Sequence, residues 1–152
     1  MHSGESFHKT RFSWHGFVEP WQTLVTVWHS ATQEMTGQEY QEEMIKWQYF
    51  SKKFKPKRIY DSCTDFNYPI NPEEQKWTAE LLNPIWVSLG LTRYAHILPK
   101  DRISELSANQ LFEEIKAMKL LRQFDLKNFH HKDKESAWQW LVGKNRSSYE
   151  PR

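Results

Sequence analysis

The side chains best equipped for chemistry stand together in one short stretch, KRIYDSCTDFNYPINPEEQKW, from Lys57 to Trp77. It holds two carboxylates, Asp61 and Asp65, two hydroxyls, Ser62 and Thr64, and the only cysteine of the chain, Cys63, ahead of Asn71. Two carboxylates and a hydroxyl are oxygen donors of the kind that hold Mg2+. A Ser or Thr close to a helix start is a place for phosphate, because the open amides and the positive helix end attract it. Asp and Ser also close strands by bonding local amides, and that structural use is the expected one here. No glycine-rich phosphate loop, GxSxG or HExxH accompanies the cluster, and no second group of acids completes it. Asp61, Ser62, Thr64, Asp65 and Asn71 therefore mark a ligand or partner edge with no catalytic assignment. Cys63 is expected to fill core space. The conspicuous pair His130-His131 lacks the spacing that puts two imidazoles on one side of a helix or strand, and His96 is expected as a hydrogen-bonded core or sheet residue. No metal or cofactor is expected.

Composition narrows the classes further. A chain of 152 residues with 38% apolar and 26% charged residues, and eight Trp, nine Phe and six Tyr, suits one domain with one core. A net charge of +2 is too small for a dedicated nucleic-acid binder. One cysteine forms no internal disulfide and no cysteine-rich zinc site. No apolar run approaches the roughly 18 residues of a membrane span, and MHSGESFHKTRF has no hydrophobic centre of a signal peptide, so a cytoplasmic protein is expected.

The elements that must position these residues alternate along the chain. QTLVTVW (Gln22 to Trp28) reads as a strand, with KTRFSW as its hairpin partner across HGFVEP. Thr36 and Glu39 form a capping box ahead of a helix with Tyr40, Met44, Trp47 and Phe54 on one face, and Pro56 stops it. KPKRIYDSC is the next strand. Asn71 as N-cap, Pro72 and Glu74 then open a helix with the stripe Trp77, Leu81, Ile85 and Leu89, which Asn83-Pro84 should kink or split and Gly90 should end. RYAHILP (Arg93 to Pro99) is a strand, and Ser107 with Gln110 suggests a third capping box before Leu111, Ile115 and Met118. LLRQFDL reads as a last strand, Asp133 as the cap of a closing helix ESAWQWLVG, and residues 144–152 as a frayed tail after a single domain over 1–143. The expectation is an α/β fold of order ββαβαβαβα on a single, mostly parallel sheet.

The helix-one capping box, the lysine-rich link, the strand ending at Asp61, Gln75-Lys76-Trp77 and Asn83-Pro84, Ala95 to Pro99, and Ala137-Trp138-Gln139-Trp140-Leu141 together resemble small bacterial SpoIIAA-like proteins. The resemblance covers roughly Thr23 to Leu141 and implies the STAS fold of anti-sigma-factor antagonists, which is similar to lipid-carrying CRAL-TRIO domains. It also implies a phosphorylatable Ser at the start of the second helix. That position is Asn71 here, and Asp61-Ser62 stands about ten residues earlier with no Gly after it, so the kinase-operated switch is expected to be missing. Ser62 or Thr64 would be the substitutes.

Two surplus features remain. Lys52, Lys53, Lys55, Lys57 and Arg58 crowd one helix end, where cations offset the negative terminus and stay solvated. The aromatic residues are too many for one small core, so some should line an interface. Trp138 and Trp140 lie about 200° apart on a helix; Trp138 shares a face with Leu141, which leaves Trp140 toward solvent or a partner. The functional expectation is a non-catalytic binding or regulatory module acting through a protein partner or self-association. The alternative is a carrier of a small apolar ligand, and a third reading is an enzyme that uses Asp61 and Asp65.

Overall fold

The computed structural model describes residues 7–117 and 124–143. Six strands form one open mixed sheet: β1 (Phe7–Lys9), β2 (Ser13–Val18), β3 (Thr23–Trp28), β4 (Arg58–Ser62), β5 (Arg93–Ile97) and β6 (Asp125–Phe129). Four α-helices, α1 (Gly37–Phe54), α2 (Pro72–Ser88), α3 (Arg102–Ala117) and α4 (Lys134–Val142), follow β3, β4, β5 and β6 in turn. The strands lie side by side in chain order, antiparallel through β3 and parallel from β3 to β6. Crossovers of one hand along a sheet that always advances the same way stack their helices on one face. The larger core accordingly joins Tyr40, Met44 and Trp47 of α1, Ala79, Leu82 and Trp86 of α2 and Leu111 of α3 to Leu24, Trp28, Ile59 and Tyr94 of the sheet. The other face carries α4, whose Ala137 and Leu141 bury Ala95 and Ile97 of β5.

The α/β class and the alternation of strands with single helices were readable in the sequence, and the amino-terminal edge was not. Of KTRFSW only Ser13 and Trp14 belong to the hairpin partner; β2 is SWHGFV, and the turn to β3 is the short 3-10 segment Glu19–Trp21. The observed order gains β1 in front and becomes βββαβαβαβα. Gly16 looked like a turn residue but sits inside β2, because the Trp14 indole lies over it and a Cβ there would fall inside that ring.

Helix starts follow local hydrogen bonding. Thr36 with Glu39, and Asn71 with Glu74, each complete both halves of a capping box. α3 differs from expectation. It begins at Arg102, where Asp101 accepts from the Ser104 amide, so Ser107 lies inside the helix and bonds the Ser104 carbonyl instead of capping. Asp133 stands at the start of α4 but makes no side-chain cap. Pro84 neither splits nor ends α2, which runs through it to Ser88. Of LLRQFDL, only the last two residues belong to β6. Met118, the start of LLRQFDL, the Ile115 side chain and the tail from Lys144 fall outside the described residues.

The inward face of α2 is the main correction. Gln75, Thr78, Ala79, Leu82 and Trp86 are buried, whereas Trp77, Leu81, Ile85 and Leu89 are only partly covered. One residue step turns a helix by about 100°, so the apolar stripe flanks the buried one. Two of the polar residues inside have partners: Thr78 bonds the Tyr40 hydroxyl at 2.6 Å, and the Gln75 amide donates to the Ile70 carbonyl at 2.9 Å and to Gln110 at 3.1 Å, whereas the buried Asn83 side chain meets no partner among the described residues. Trp86 is 1% exposed and donates its indole N–H to Ser51.

Stability measurements check this orientation. Trp86→Ala should cost about 3–5 kcal/mol in urea denaturation, and Trp77→Ala less than half of that. Asn71→Ala should cost about 1 kcal/mol through loss of the α2 cap.

Candidate functional site

The parallel strands β3, β4 and β5 send alternate side chains to the helix-covered face, and register makes neighbours of residues far apart in sequence. Asp61 lies beside Thr26 on one side and His96 on the other. Trp28 ends β3, and Cys63 follows Asp61 by two residues on the same face. The result is a polar knot inside an aromatic core. Asp61 is 2% exposed; its Oδ1 accepts from Trp28 Nε1 at 2.9 Å and from the Cys63 thiol at 3.3 Å, and its Oδ2 accepts from the Tyr94 hydroxyl at 2.5 Å. His96 is fully buried, and its Nδ1 lies 2.9 Å from Asn128 Oδ1 of β6.

Burial first, then the neighbouring carboxylate, pushes the Cys63 thiol and the Tyr94 phenol well above their ordinary ranges, so both remain protonated donors. Burial lowers the His96 pKa, while Asp61 and Asn128 act in the opposite sense. A cavity of about 30 Å³ opens against the knot, lined among others by Trp28, Trp47, Trp86, Phe66 and Leu111. It has room for roughly one or two water molecules. Trp47 Nε1, which borders it, is buried with no partner among the described residues.

The five residues expected to mark an edge are not brought together. Asp61 points into the helix-side core, and Ser62, 6% exposed, alternates to the α4 face. Thr64 Oγ1 is buried without a partner among the described residues. Asp65 is exposed and pairs with Lys100 at 3.6 Å, so the two carboxylates of the enzyme reading occupy different environments. Asn71 is engaged as a helix cap.

Two of the five cations around the end of α1 make structural bonds: Lys57 donates to the Leu89 carbonyl at the end of α2, and Arg58 to the Trp21 carbonyl. His130 and His131 stack with ring centroids 4.1 Å apart. Trp138 and Trp140 are both partly buried and straddle the α4 contact, the first against Tyr60 and the second against Phe129 and beneath Arg93 and Lys127.

A second buried polar group went unnoticed in the sequence. Ser13 donates to Glu43 at 2.6 Å and lies 3.3 Å from His15 Nε2, while His15 Nδ1 meets Thr26 at 2.9 Å. Serine, histidine and carboxylate are present, but the carboxylate accepts from the serine and a threonine, not the carboxylate, meets the imidazole Nδ1, so the order is not that of a catalytic triad. The signal for both clusters lay in strand alternation. RIYDS and RYAHI each begin with Arg, and setting them in parallel register places Asp61 beside His96.

No protein-family model, no curated protein and no solved structure matches the chain.

The buried imidazoles make stability depend on pH. Burial, reinforced by His8 and Lys46, lowers the His15 pKa to about 3, and His96 is lowered as well. The unfolded chain then binds protons that the folded chain refuses, so stability is full above the ordinary histidine pKa and falls as pH drops below it. Denaturant midpoints between pH 7 and 5 should fall, with a limiting slope of about 1.4 kcal/mol per pH unit for each histidine. His15→Gln should remove a large part of that slope.

Proposed function

We propose that the chain is a non-catalytic binding module of SpoIIAA-like type that works through a protein partner or a second copy of itself. The observation that carries this reading is the uneven covering of the sheet. On the face away from α1, register groups Phe7, Trp14, Gly16, Val25 and Val27 on β1, β2 and β3. Among the described residues the helix on that face is α4, which packs on β5 and β4. Phe7 is 49% exposed and stacks on Trp14, whose indole lies flat over Gly16, and Val25 and Val27 stay half-buried. Tyr60 and Trp138 continue the apolar surface toward α4. An apolar, aromatic sheet face next to a polar rim is suited to protein contact, since rigid rings add contact area at small entropic cost. The side chains of the Asp61 and Ser13 clusters, by contrast, are buried and bonded to their neighbours.

A carrier role is the second reading. The aromatic cavity under α3 favours it, because α3 rests on α2 and closes the space with Ala108 and Leu111. At about 30 Å³ the cavity would have to enlarge about tenfold for an apolar ligand, since such pockets run to about 300 Å³ or more.

Val25→Lys separates these readings. A module using the β1–β3 face should lose self-association or partner capture in sedimentation and native mass spectrometry, with a stability change within about 0.5 kcal/mol. Association unchanged by this substitution would count against the face. A small molecule retained by both proteins in native spectra would favour the carrier.

A further inference from the structure

Asp61, Cys63 and His96 each offer one donor atom, and these three atoms lie within 4.8 Å of one another in the described core. From this cluster we propose a divalent transition-metal site of the zinc type, held by Asp61 oxygen, Cys63 sulfur and His96 nitrogen, at the carboxyl ends of β4 and β5. It goes beyond the binding role and does not depend on it.

Carboxylate, thiolate and imidazole are the donor types that zinc takes, and they suit it better than Mg2+ or Ca2+, which prefer oxygen alone. Spacing agrees. Cys63 Sγ and Asp61 Oδ1 stand 3.3 Å apart, close to the edge of about 3.5 Å that a tetrahedral ion imposes between one sulfur and one oxygen ligand.

Supporting contacts are of the kind that metal ligands use. Asn128 Oδ1 can only accept, so His96 Nδ1–H donates to it, and Nε2 of the neutral ring is the atom that offers a lone pair to a metal. Trp28 and Tyr94 hold the Asp61 carboxylate from both sides and steer it. The cavity beside the knot admits a water as fourth ligand.

Charge supplies the reason for the site. Among the described residues no lysine or arginine forms an ion pair with Asp61. A divalent ion beside Asp61 carboxylate and Cys63 thiolate gives a neutral assembly in an apolar core, where an isolated charge is costly. In the loading step the S–H bond of Cys63 breaks, a sulfur–metal bond forms, and one proton leaves to solvent. The metal is neither oxidised nor reduced.

Cobalt is the probe, because a thiolate–cobalt bond gives a near-ultraviolet charge-transfer band and Cys63 is the only thiol in the chain. The full chain, freed of metal with a chelator, should develop that band with one Co2+ per chain, release one proton, and lose the band when Zn2+ displaces cobalt. Zn2+ should also raise the denaturation midpoint. Asn128→Ala, at an exposed position, should weaken affinity about 10–100-fold with the fold retained. Folded wild-type protein that shows no charge-transfer band with excess cobalt overturns the proposal without recourse to any variant. Binding without the band, through the other histidines, overturns it equally.

Discussion

Three parallel strands meet at one carboxylate. Asp61 leaves β4 toward the helices and is gripped by the indole of Trp28 from β3, the phenol of Tyr94 from β5 and the thiol of Cys63 beyond its own strand. Each of these donors is buried and would cost roughly 1–3 kcal/mol if left without an acceptor. The knot thus ties strand register to side-chain chemistry: sliding any of the three strands by one residue would turn its donor or acceptor to the opposite face. The aromatic core is built around this arrangement. Trp28 meets Trp47 and Phe66 edge to face, Tyr94 meets Trp86, and Trp47 meets Trp86, so one network of rings links β3, β5, α1 and α2.

How far the sequence could be read depended on how local the cause was. Capping boxes at Thr36 and Asn71 are made by residues three apart, and both were legible with their chemistry. The inward stripe of α1 was legible because Tyr40, Met44 and Trp47 are also its apolar positions. α2 misled because its buried face is partly polar. Thr78 and Gln75 are acceptable inside only through Tyr40, Ile70 and Gln110, and those partners come from elsewhere in the chain. The start of α3 was misplaced because two capping signals compete there, and the earlier one, Asp101, lies four residues beyond the end of β5.

The candidate site followed the same rule. Asp61 was recognised as a strand-end residue, but its surroundings depend on pairing with β3 and β5, which single-strand periodicity does not report. The cluster of Ser13, His15, Thr26 and Glu43 was hidden for this reason too, since its members come from β2, β3 and α1. The two clusters lie side by side on the sheet, through the register pair Thr26 and Asp61. A chain with so much polar chemistry buried gains a sharply specified register, and each misplaced strand would strand several hydrogen-bonding groups at once.

Strand order that repeats chain order has a consequence for synthesis. Each new strand docks against the one made just before it, so no strand must wait for a partner strand beyond the next one. Parallel neighbours such as Thr23 and Arg58, or Arg58 and Arg93, are separated by one crossover and no more, and loop-closure cost grows only slowly with such lengths. The hairpin and first crossover can assemble while later strands are still being added at the ribosome. α4 is made after all six strands, so Ala95 and Ile97 stay open on their side of the growing sheet until that helix has been added.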